Sequence, residues 1–125
     1  MPKASVQAAA SEAQFEARIE AVRKRFTAKF ADRMQQTIAD LPGMTGDGAV
    51  AADIVANTYH WLHQISGIAP TIGFESTGQS ARSCDDLLIG PYRGQRGLSA
   101  AELTQLTSRL DSLRRAAQVE MQGLE

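Results

Sequence analysis

Phe15, Ile19, Val22, Phe26, Phe30, Met34, Ile38 and Leu41 recur at steps of three and four. That spacing returns an apolar side chain to one face at every turn of a 3.6-residue helix, whereas a half-buried strand requires strict alternation. The stripe commits the first third of the chain to one long amphipathic helix. It is expected to run from about Ser11, whose hydroxyl is placed to cap it, to Leu41.

The helix breakers that follow are gathered into two places. Pro42-Gly43-Met44-Thr45-Gly46-Asp47-Gly48 reads as a loop, and so does Gly90-Pro91-Tyr92-Arg93-Gly94-Gln95-Arg96-Gly97. Between them a second helix is expected over about 49–72, with Ile54, Thr58, Trp61, Leu62, Ile65, Ile68, Ala69 and Ile72 on one side. Gly73 suits its C-terminus, where a left-handed residue is common. Pro70 removes the amide that would bond the Ser66 carbonyl and is expected to bend the last turn. A third helix is expected over about 75–89, with Phe74, Thr77, Ala81, Cys84 and Leu88 pointing inward. A fourth opens at Ser99-Ala100-Ala101-Glu102, the pattern of a capping box. It carries Leu103, Leu106, Leu110, Leu113, Ala117 and Met121 in a near-heptad. Four amphipathic helices joined by short loops imply an all-α, antiparallel up-down four-helix bundle with a long N-terminal helix. Residues 1–10 are expected to be a flexible tail and 11–125 a single domain.

The composition narrows the function classes. A formal net charge of -1 argues against a general nucleic-acid or anionic-membrane surface. The basic residues Arg18, Arg23, Lys24, Arg25, Lys29 and Arg33 alternate with Glu12, Glu16, Glu20 and Asp32, which reads as an ordinary solvated helix face. Cys84 is the one cysteine, so no internal disulfide or cysteine-based zinc site is expected, and its apolar surroundings suit a small core residue. Met1–Ala10 has no long apolar run of the secretory kind, and no stretch approaches the ~20 apolar residues of a membrane span. A cytoplasmic protein is expected.

Projected on a helical wheel, Tyr59, His60, His63, Ser66, Gly67 and Pro70 fall within an arc of about 120°, largely opposite Ile54, Ile65 and Ile72. His63 is therefore expected at the surface, ringed by small residues, with Gly67 one turn beyond it. Glycine inside a helix costs roughly 1 kcal/mol relative to alanine, so its placement points to close approach by something bulky on the histidine side. Imidazole suits reversible phosphoryl transfer: with a pKa near ~6.5 it is largely neutral at cell pH and keeps one free lone pair.

The stretch His63-Gln64-Ile65-Ser66-Gly67-Ile68-Ala69, followed by Gly73-Phe74, resembles the signature of histidine phosphotransfer (HPt) domains. That signature is histidine, any residue, a leucine-like residue, often lysine, glycine, any residue and alanine, with a glycine four residues on. The resemblance implies a phosphoryl group carried on the residue matching His63, usually on Nε2, received from a receiver-domain aspartate and passed to another receiver. It implies no nucleotide site, no kinase activity of its own and no cofactor on this chain, with Mg2+ expected on the receiver alone. Response-regulator receiver domains and a hybrid histidine kinase are the implied partners of a monomeric protein. His60, Gln64, Ser66, Gly67 and Arg82 are the residues expected near the partner or the phosphate. Ser66 stands where the family often has a phosphate-contacting lysine, so His60, set beside His63 by the helix projection, is expected ahead of Arg82 to supply the counter-charge.

Other readings stay open at this stage. The same bundle is compatible with an adaptor that binds receiver or kinase partners without being phosphorylated. A metal or haem site is disfavoured, because His60 and His63 are the only histidines and lie on one helix without the Glu-x-x-His pairs on facing helices that such bundles use. A sensor-kinase fragment is disfavoured by the lack of a glycine-rich nucleotide-binding region.

Overall fold

The computed structural model describes residues 2–122, with side chains from residue 9 onward. Four α-helices account for nearly all of it: α1 Pro2–Asp40, α2 Ala49–Thr71, α3 Glu75–Arg93 and α4 Ala100–Met121, with a 3-10 turn at Leu41–Met44. No strand occurs among the described residues, and one isolated bridge joins Thr45 to Leu98. No described helix is long and apolar enough to cross a membrane.

The helices pair antiparallel. His63 meets Asp85 and Pro70 meets Gly78 across α2 and α3. Arg109 and Glu120 of α4 bond Ser83 and Thr77 of α3, while Phe30 and Arg23 of α1 meet Trp61 and Ile72 of α2. The buried core runs along the axis through Phe30, Met34, Val55, Leu62, Leu88, Leu106, Leu110 and Leu113. This is the expected up-down bundle with its long first helix.

Polar groups secure the helix ends. α2 finishes in a Schellman motif: Phe74 N donates to Ala69 O at 2.9 Å and Gly73 N to Pro70 O at 3.2 Å. Gly73 has the required positive φ of 93°, and Arg23 Nε donates to the Ile72 carbonyl at 2.6 Å. The first turn of α3 has no cap of its own. Glu120 of α4 supplies one, accepting from Thr77 N and Thr77 Oγ1 at 2.7 Å each. The capping box at Ser99 and Glu102 is present on both sides.

The boundaries differ from the sequence expectation in two places. Helical backbone begins at Pro2 rather than near Ser11, so the segment 1–10 expected as a tail is helical from Pro2 on. α3 continues through Gly90 and Pro91 to Arg93, because buried Pro91 and half-buried Tyr92 pack against the core and outweigh the lost amide bond. Two stripe residues of α1, Phe15 and Ile38, are exposed, as is Ile68 of α2, whereas Val55 of α2 is fully buried. Cys84 is buried as expected, and that burial pushes its thiol pKa up to about 12.

Candidate functional site

Local periodicity places His63 on the outer side of α2, and the neighbouring helix then orients it. Its side chain is 64% exposed, and Nδ1 lies 2.9 Å from Oδ2 of Asp85, whose side chain is only 12% exposed. A carboxylate oxygen can only accept, so in this contact Nδ1 donates, and in the neutral ring Nε2 is the nitrogen with the free lone pair. Tyr59 stacks on the His63 ring at 5.7 Å and on Tyr92 at 4.3 Å. The imidazole is thus held on one face by a phenol and at one edge by an acid, with most of its surface open. Burial, aided by the Asp85 charge, raises the pKa of the Tyr59 hydroxyl, which keeps that ring a neutral stacking partner.

Asp85 is absent from the residues expected at the site. It lies at i+4 from Ala81 and i−3 from Leu88, inside the inward stripe of α3, so an acid within an apolar stripe was the available signal. Its other oxygen, Oδ1, is buried without a hydrogen-bond partner among the described residues. The only hydrogen bond of this buried carboxyl there is to His63.

The remaining expected residues divide. Gly67 is exposed, and a Cβ built on it would meet nothing within 4 Å. The fold itself has no steric need for glycine there. His60 and Gln64 are exposed, and His60 packs edge-on against Tyr92 at 5.0 Å and Tyr59 at 5.6 Å. Ser66 departs from expectation: it is 6% exposed, and its hydroxyl donates to the His63 carbonyl at 2.7 Å. Tyr59, placed on the open arc by the helical wheel, is likewise buried, because α3 and Tyr92 cover that side. Arg82 stands exposed on α3 and lines, with Ser66 and Pro70, a groove of about 430 Å3 between α2 and α3.

Of the basic residues of α1, Arg18, Lys24, Arg25 and Lys29 are exposed as expected, and Arg23 and Arg33 are half-buried. Arg23 caps α2, while Arg25, Lys29 and Arg33 line a second groove of about 760 Å3 between α1 and α2, which His60 and Gln64 also border. His63 therefore lies on a ridge between two grooves, each carrying arginine. No group of three or more potential metal-ligating side chains occurs among the described residues.

No family model, curated protein or solved structure matches the chain.

Proposed function

We propose that the chain is a phosphotransfer protein: His63 accepts a phosphoryl group from the aspartyl phosphate of a receiver domain and passes it to another receiver. The observation that carries this reading is an exposed histidine whose Nδ1 is held by a buried acid, leaving Nε2 as the nucleophile.

In the forward step the Nε2 lone pair attacks phosphorus and the bond from phosphorus to the aspartyl oxygen breaks. The carboxylate of the partner leaves with the bonding electrons. Nδ1 keeps its hydrogen throughout, so the imidazole ring becomes positive as the N–P bond forms. Asp85, already bonded to that hydrogen, stabilises the developing charge. The reverse step needs only a second receiver in the same position. Open space at Gly67 leaves room for the partner, and Arg82 is the protein cation offered for the phosphoryl oxygens, in place of the buried Ser66.

Incubation with a radiolabelled, phosphorylated receiver domain tests the proposal. An acid-labile, base-stable label is expected on the chain and absent from His63→Gln. A label that persists in that variant rules the reading out. The competing adaptor role predicts receiver binding that survives His63→Ala with no label at any time.

A further inference from the structure

Residues 9–18 of α1 pack against nothing else among the described residues. α1 spans 39 residues and α2 only 23, roughly 58 Å against roughly 34 Å. Arg23 bonds the Ile72 carbonyl at the end of α2, and every residue from 9 to 18 is exposed, Phe15 at 65%. A projecting helix of this length is marginal in water without a partner for its apolar side.

The groove between α1 and α2 is the matching vacancy. Its floor is Phe26, Phe30, Trp61, Ile65 and Ile68, with Ile68 at 48% exposure. Arg25, Lys29 and Arg33 form its wall, no carboxylate lines it, and none of the three is in an ion pair among the described residues. The projecting segment carries the opposite charge in Glu12, Glu16 and Glu20, against Lys3 and Arg18.

We propose that two copies of this chain form an antiparallel twofold dimer in which the projecting part of each α1 lies in the α1–α2 groove of the other. Phe15, Ile19, Val22, Phe26 and Lys29 follow one seam at steps of four and three, on the side of α1 that faces the groove. With the twofold axis passing between Glu20 and Ala21, the helical repeat sets Phe15 opposite Phe26 and Ile19 opposite Val22 of the other copy. Glu12 then stands opposite Lys29. Arg18 falls beside Arg25 at the rim, a like-charge cost that the solvent screens. The contact is isologous and closes, so it stops at two copies. A helix seated there borders His60 and Gln64, leaving His63 approachable from the Arg82 side.

Sedimentation equilibrium on the full chain at about 100 μM, where a Kd near ~10 μM gives mostly complex, is expected to return twice the 13.5 kDa chain mass. Trp61, the one tryptophan, lies in the groove, so its emission is expected to shift on dilution. Phe15→Asp alters a side chain exposed in the protomer, and is expected to keep the helical circular dichroism while weakening association about tenfold or more. Lys29→Glu is expected to weaken association too, and adding Glu12→Lys to the same chain to restore it. A mass of one chain at that concentration, with the groove left to some other partner, overturns the proposal. So does a dimer that Phe15→Asp leaves intact.

Discussion

His63 Nδ1 and Asp85 Oδ2 lie 2.9 Å apart, joining an exposed imidazole on α2 to a buried acid on α3. The bond fixes both the tautomer and the ring direction. Asp85→Asn keeps the shape but removes the charge that favours an Nδ1 hydrogen and a positive ring. The expected outcome is a phosphotransfer rate lower by about ten- to a hundredfold, on the scale seen when a partner that orients a functional histidine is lost. Stability should be unchanged or slightly higher, because a buried, half-satisfied carboxylate is relieved. Rapid-quench transfer assays and thermal melts separate the two effects.

Gly67 separates folding from function. Its missing Cβ would point into open space, so Gly67→Ala is expected to stabilise α2 by about 1 kcal/mol through helix propensity alone. Under the proposed function the same methyl group would stand in the approach of a receiver, and transfer is expected to slow. A variant that melts higher and still transfers at the full rate would remove the partner-access role from Gly67.

Arg82 stands exposed on α3 in the groove beside Ser66 and Pro70, and is the cation proposed for the phosphoryl oxygens. Arg82→Glu is expected to lower the transfer rate by several-fold to about tenfold at low ionic strength, the gap narrowing as salt screens the charge. An effect independent of salt would indicate packing rather than charge.

Gly78 permits the close contact of α2 and α3 beyond the site. A Cβ there would sit 2.5 Å from Pro70 Cγ, too near for either helix to keep its place. Gly78→Ala is expected to destabilise the protein by about 1–3 kcal/mol despite the better helix former. Urea unfolding measures it, and a more stable variant would show that the Pro70 contact yields freely.

Acid should loosen the start of α4. Glu102 accepts from Arg96 Nη1 at 2.8 Å and from Ser99 N at 2.9 Å, which lowers its pKa from 4.5 to about 2. A depressed carboxyl stabilises the fold above its unfolded pKa and loses that contribution as pH falls through the folded one. Stability tied to Glu102 is therefore complete above about 4.5 and gone near 2. Melts of Glu102→Gln are expected to show a shallower decline across that window than the parent chain.

The features already legible in the chain are those written in local periodicity and local capping. The apolar steps of α2, α3 and α4, the breakers between them, the box at Ser99 and Glu102 and the outward turn of His63 depend on residues within a few positions of one another. A helical wheel reads such relationships directly. The same wheel left Tyr59 and Ser66 in the open, because it has no knowledge of which helix lies alongside. It also ended α3 too early, since the burial that carries the helix through Pro91 is a tertiary gain.

What only the tertiary structure decided are contacts between positions far apart in the chain. Asp85 reaches His63 across 22 residues, Glu120 caps α3 from 43 residues away, and Arg23 caps α2 from 49. Each depends on how far one helix is rotated and shifted against its neighbour. That choice is made by the packing of the whole core at once, through side chains such as Phe30 against Trp61 and Pro70 against Gly78. The sequence by itself therefore determined that a histidine would stand at the surface of a helical bundle. The pairing of α2 with α3 decided which of its nitrogens is held by an acid and which is left free.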